Sequence, residues 1–181
     1  FRGRYEGAAV SMPGRIDTRT GVAHTGGAFP FIQDTPVGQL FAERLGCPVT
    51  VANDAKCAAN AEAWTGALAG TANGAVLVLG TGTGGGIVLN RRIWMGSTFA
   101  AGELSFLPVR LEGMGQAFMS DVYGAGADRM WAQYASATGL LRAYAQRRGI
   151  PMEGLDGLQF FAAYDAGEPE AAEALAFFGE M

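Results

Sequence analysis

The stretch Ala75-Val76-Leu77-Val78-Leu79-Gly80-Thr81-Gly82-Thr83-Gly84-Gly85-Gly86-Ile87-Val88-Leu89-Asn90 decides how this chain folds. An apolar run of strand type leads into a turn built only from Gly and Thr, and a second apolar run leads out. Glycine reaches positive φ without steric cost, so such a turn folds tightly and brings its backbone N–H groups close to a ligand. Thr81 and Thr83 add hydroxyl donors. A concave row of N–H groups flanked by hydroxyls suits a phosphate chain, because it offsets negative charge without bulk. A purely structural hairpin, with positive φ at Gly82 and Gly84, is the alternative.

The spacing of Gly80, Gly82 and Gly85 also fits the dinucleotide fingerprint G-x-G-x-x-G. That fingerprint needs a helix after the turn, whose N-terminus holds the pyrophosphate. Here Ile87-Val88-Leu89 is short and closes on Asn90-Arg91-Arg92, before Ile93-Trp94-Met95-Gly96. This pattern predicts a continuing hairpin. A phosphate-gripping hairpin is therefore favoured over both the dinucleotide site and the structural turn.

The chain has 181 residues, enough for one large domain or two small lobes. Hydrophobic residues make up 49% and charged ones 17%, which supplies a core and argues against disorder. A net charge of −4 argues against a nucleic-acid surface in this segment. Cys47 and Cys57 are too few for a disulfide scaffold and lack metal-ligand spacing. Cys57 falls in an Ala-rich helical pattern and reads as a buried thiol. Neither a signal peptide nor an apolar run near ~18 residues is visible, so a soluble cytoplasmic protein is expected. The chain opens on Phe1-Arg2-Gly3 and stops inside a helical pattern without a closing cap, which reads as a piece of a longer protein.

Along the chain, residues 7–12 read as a buried strand stopped by Pro13-Gly14, with residues 15–17 extending it before a turn at 18–21. Pro36 opens a helix over 37–45 that ends at Gly46. Residues 48–52 form a second strand. Asn53-Asp54 then stands at a strand-to-helix junction, where either residue can cap a helix over 55–64. As a cap alone Asp54 contributes ~1 kcal/mol. A carboxylate at the C-terminal end of a strand in an α/β sheet also faces the ligand crevice. Residues 67–74 read as a hinge between lobes at 1–70 and 71–181. Glu103 lies among Phe99, Leu104, Phe106 and Leu107, as a site residue or a structural one. A helical pattern runs through 120–148, its aromatic stripe reading as core or subunit contact, which leaves a homodimer open. Asp156 caps the next helix, with Phe160 and Phe161 on its buried side, and Pro169 opens the last. His24 has no evident Cys, His or carboxylate partner and reads as a surface or loop histidine rather than a ligand.

The motifs in order carry more than any one of them. Ser11-Met12-Pro13-Gly14-Arg15-Ile16-Asp17 is followed by Gly26-Gly27-Ala28-Phe29-Pro30-Phe31, then Val51-Ala52-Asn53-Asp54-Ala55, the glycine hairpin and Ala101-Gly102-Glu103. This series resembles the ROK family of sugar kinases and repressors, densely up to Glu103 and then best at Tyr134-Ala135-Ser136. The resemblance implies an α/β, ribonuclease-H-like (actin-like ATPase) fold in two lobes, here partial. It implies an ATP-dependent kinase of a hexose or hexoside. Asp54 would be the general base on the sugar hydroxyl. Asn53 and Glu103 would hydrogen-bond other hydroxyls, and Gly14 and Arg15 would border the sugar. Thr81, Gly82, Thr83 and Gly84 would hold the nucleotide phosphates, with Mg2+ arriving on ATP.

Three departures from the family pattern qualify this. Many members place a His shortly after the Glu103 position and add a Cys-rich zinc loop. Here Leu104-Ser105-Phe106 follows Glu103 and no cysteine lies beyond Cys57, so no structural zinc and no protein-held metal are expected. A further sugar-binding glutamate before the Tyr-Ala-Ser segment is replaced by Ala132 or a neighbour. The family's first phosphate loop, of Asp-Gly-Gly-Thr type, would precede Phe1. The resemblance therefore also admits a sugar-sensing repressor body, or a fragment inactive alone.

Overall fold

A computed structural model of the protein describes residues 4–109 and 129–181. The chain divides into two compact units. One comprises the residues up to Val76 together with Gly85–Gly102, and the other Leu77–Gly84 together with Glu103–Met181.

In the first unit, β1 (Ala8–Met12) and β5 (Val49–Asn53) pair in parallel, with Met12 opposite Asn53. Between them run β2 (Ile16–Asp17), β3 (Val22–Thr25) and β4 (Gln33–Thr35), an antiparallel sheet in that order, and helix α1 (Val37–Leu45). Helix α2 (Asp54–Trp64) follows β5 directly. Met12, Ile16, Ala23, Val37 and Val51 form the buried core, with Val10, Ile32 and Val49 against it. The helix bounds at Pro36 and Gly46 follow the sequence signals, Gly46 ending α1 in the left-handed region at φ 71°.

Residues 15–17 do not extend β1. Gly14 breaks the strand at φ 106°, and a Cβ there would stand 2.0 Å from Thr25 O. Ile16–Asp17 therefore starts the second sheet. His24 is not a loop residue: it lies in β3, and its Nδ1 sits 2.8 Å from Asp34 Oδ1 on the neighbouring strand. Strand β4 carries no sequence signal, being three polar residues long. Burial would raise the Asp17 pKa, but the Arg19 backbone N–H, the Arg19 guanidinium and the Thr20 hydroxyl outweigh it. The carboxyl is held below its ordinary 3.8.

Strands β6 (Gly74–Leu79), β7 (Thr83–Leu89) and β8 (Arg92–Ile93) form a three-stranded sheet in that order. The run after the glycine turn is a strand, and Gly85 falls inside it, which removes the dinucleotide fingerprint. Asn90 and Arg91 both take positive φ, 52° and 63°, the pair of values a type I′ hairpin needs.

In the second unit, helices α3 (Ala137–Arg148), α4 (Gly157–Asp165) and α5 (Pro169–Glu180) pack around Leu140, Tyr144, Phe160, Ala171 and Ala174. The expected helix over 120–148 is shorter. Residues 120–128 lie outside the described residues, Met130 bridges to Pro108, and a 3-10 turn occupies Trp131–Gln133. Ser136 caps α3 by accepting from the Gly139 N–H at 3.0 Å. Asp156 caps α4 in a reciprocal box with Gln159. Phe160 is fully buried, but Phe161 is 50% exposed, because successive helical residues point about 100° apart.

A Cβ at Gly86 would fall 2.4 Å from the Ala59 Cβ on α2. Strand β7 and α2 therefore meet at backbone distance. Gly86→Ala is expected to lower stability by ~1–3 kcal/mol, the usual cost of overpacking. Thermal denaturation checks this, and an unchanged midpoint would contradict the packing argument.

Candidate functional site

Two groups of residues stand out, one in each unit. In the first, β1 and β5 end side by side, and the turn Pro13-Gly14-Arg15 and the start of α2 leave from those ends. Asn53, 3% exposed, joins them. Its Oδ1 accepts from the Lys56 N–H at 3.0 Å and caps α2, while its Nδ2 donates to Gly14 O at 3.0 Å. The cap is thus Asn53, not Asp54. Asp54 is the first helical residue, exposed, with Oδ1 accepting from the Ala55 N–H at 2.9 Å. Released from capping, its carboxylate stands at the C-terminal edge of two parallel strands, where ligands meet open α/β sheets. Arg15 is also exposed, and its backbone is held by Thr25 Oγ1 and His24 N.

In the second unit the glycine turn is fixed from outside. The Gly80 N–H donates to Gly82 O at 2.9 Å and closes the turn, while Gly80 O accepts from the Ala137 N–H, at the start of α3, at 2.8 Å. Thr83, 2% exposed, donates its hydroxyl proton to Ala135 O at 2.6 Å. Thr83 O in turn receives the Ser105 hydroxyl at 2.6 Å. Thr81 and Gly82 are exposed. No glycine of this turn has positive φ, which a purely structural hairpin would have placed at Gly82 and Gly84. A Cβ on Gly82 would meet nothing within 4 Å. Neither backbone conformation nor packing explains a glycine at this position.

Glu103 is half-buried at the start of a 3-10 turn, Leu104–Phe106, and caps it. Its Oε1 accepts from the Ser105 hydroxyl at 2.6 Å and the Ser105 N–H at 3.3 Å. Among the described residues, no group of three or more His, Cys, Asp or Glu stands where it could hold a metal ion. A groove of about 650 Å3 over α3 and α4, lined by Tyr144, Arg148, Leu155 and Glu168, contains none of the expected site residues.

A family model, ROK family, matches residues 2–181. The chain belongs to the ROK family. It is 34% identical over 175 residues to a beta-glucoside kinase of Klebsiella pneumoniae, covering 96% of this chain and 55% of the relative. A candidate N-acetylmannosamine kinase from Listeria monocytogenes superposes with a TM-score of 0.78 at 30% identity, over 97% of this chain and 57% of that one. A ROK family glucokinase from Streptomyces griseus, solved with glucose and AMPPNP, gives 0.75 at 25% identity, over 91% and 55%. The chain spans about half the length of the curated relatives it matches. The fold is that of ROK sugar kinases, the actin-like ATPase class that the sequence implied. Among the described residues, no helix is long and apolar enough to cross a membrane.

Within this ROK chain the sequence signals missed Ser105, Ala135 and Ala137, which fix the turn largely through backbone groups. Only Ser136, a cap residue ahead of a helical pattern, offered a cue. Thr83 and Gly82 now differ in kind. Thr83→Val leaves the Ala135 carbonyl without its donor and is expected to cost ~1–3 kcal/mol. Gly82→Ala meets open space and is expected to leave the thermal midpoint unchanged or slightly raised. Parallel melts of the two variants check this, and equal losses would contradict it.

Proposed function

We propose that the protein is an ATP-dependent kinase acting on a hydroxyl of a hexose or hexoside, with Asp54 as the general base. The observation that carries this reading is the glycine turn: fixed on Ala135, Ala137 and Ser105, exposed at Thr81 and Gly82, and glycine at Gly82 for no internal reason. Phosphoryl transfer asks for positioning and charge stabilisation rather than covalent help, and a rigid turn of N–H donors provides both. The N-terminus of α3, bonded to Gly80, adds the positive end of a helix dipole. The beta-glucoside kinase and glucokinase relatives support the same reading.

In this proposal the residues take distinct parts. Thr81 and the N–H groups of Gly82 and Gly84 hold phosphate oxygens. Thr83 shapes the turn, because its one hydroxyl proton is committed to Ala135 O. Asp54 accepts the proton of the attacking hydroxyl. Asn53 orients α2 beneath Asp54 and keeps one amide proton for a sugar hydroxyl. Glu103 accepts from a further hydroxyl, and the Gly14-Arg15 turn borders the ring. ATP supplies the transferred phosphoryl group when bound, and Mg2+ travels on its phosphates, as that ion usually does. Residues 1–70 furnish the sugar side and residues 71–181 the nucleotide side. A cytoplasmic location and a homodimer belong to the same proposal.

Asp54→Asn keeps size and polarity and removes the base. In the full-length protein kcat is expected to fall by ~10²–10⁴-fold with little change in melting temperature. Turnover with the best sugar measures it, and an unchanged kcat would remove Asp54 from the role. Gly82→Ala places a methyl group against the phosphates and is expected to weaken magnesium–AMPPNP binding by about tenfold or more. Calorimetric titration reads this directly, and equal affinity would turn the glycine turn into a structural hairpin.

A further inference from the structure

Ser105 connects two residues that the proposed function keeps apart. Its Oγ lies 2.6 Å from Thr83 O, at the end of the glycine turn, and 2.6 Å from Glu103 Oε1. Its N–H approaches the same carboxylate oxygen at 3.3 Å. A hydroxyl carries one proton, and a backbone carbonyl and a carboxylate are both acceptors. The two contacts therefore compete for that proton, and whichever acceptor finds another donor releases it to the other. Thr83 is in turn held by its own hydroxyl on Ala135 O, so a change at its carbonyl acts on a segment with few other freedoms.

We propose that Ser105 is a positioning residue that couples sugar binding at Glu103 to nucleotide binding at the glycine turn. When a sugar hydroxyl donates to Glu103 Oε1, the Ser105 proton goes wholly to Thr83 O and fixes the start of β7. The turn is then held in one arrangement before phosphates arrive, and less ordering is left for the nucleotide to bring about. By linkage the same factor operates in reverse, so bound nucleotide tightens sugar. This rests on the reading of Glu103 as a sugar ligand and of the turn as a phosphate ligand. It adds a residue, and a thermodynamic link, that neither reading requires.

The test is calorimetric titration of magnesium–AMPPNP into the full-length protein, with and without saturating sugar. Glucose, methyl β-glucoside and N-acetylglucosamine serve in turn as the sugar. In the wild type, saturating sugar is expected to tighten nucleotide by about fivefold or more, the lower range of allosteric couplings. Ser105→Ala is expected to bring that ratio close to one while nucleotide affinity without sugar changes far less. Ser105→Thr, which keeps the hydroxyl, restores the ratio. Ser105→Cys, a weak donor of similar size, loses it as Ala does and serves where the Ala variant does not fold. A merely structural serine would shift both affinities and leave their ratio intact. The coupling is overturned by a wild-type ratio of one, or by an Ala or Cys variant that retains the wild-type ratio. If sugar and nucleotide each bind but independently, the coupling falls and the kinase reading stands. If no sugar in the set and no nucleotide binds, the kinase reading falls and the coupling with it.

Discussion

The first unit depends on one amide. Asn53 satisfies an orphan N–H of α2 with its oxygen and the carbonyl of Gly14 with its nitrogen, from a nearly water-free position. Each bond is worth only ~1 kcal/mol by itself. Their joint effect is geometric, because the end of β5, the start of α2 and the turn after β1 are referred to the same few atoms. Asp54 inherits a fixed position from its neighbour and needs no partner beyond the adjacent N–H. An exposed carboxylate can stand here while its neighbour caps the helix below it.

The second unit solves a different problem, that of holding a segment with almost no side chains. Gly80, Thr81 and Gly82 offer little to pack, and a glycine-rich turn loses more entropy on ordering than other sequences. Three hydrogen bonds from outside the turn make good the deficit: one from Ala137, one to Ala135 and one from Ser105. These bonds meet part of the ordering cost during folding.

Much of this was legible from local signals. Pro36 and Gly46 bound α1, Asp156 starts α4 and Pro169 starts α5, because caps and imino acids act within one or two residues of themselves. The strand after the glycine turn was legible from its short apolar run closed by Asn90-Arg91. What the sequence did not reveal depends on distant partners. Asn53, which caps α2, also binds a carbonyl 39 residues away. The Thr83 hydroxyl looked like a phosphate donor until Ala135, 52 residues on, claimed it. Positive φ, the mark of a purely structural hairpin, is absent from the glycines of the turn but present at Gly14, where Thr25 crowds the chain.

The order in which the chain visits its two units has a practical consequence for dissecting the gene. The polypeptide leaves the first unit after Val76, returns at Gly85 and leaves again after Gly102. A fragment ending at residue 102 would carry the glycine turn but none of Ser105, Ala135 and Ala137. The complementary fragment would keep the anchors and lack the loop they hold. No single cleavage yields both halves intact, so the two units have to be synthesised, inherited and engineered as one piece.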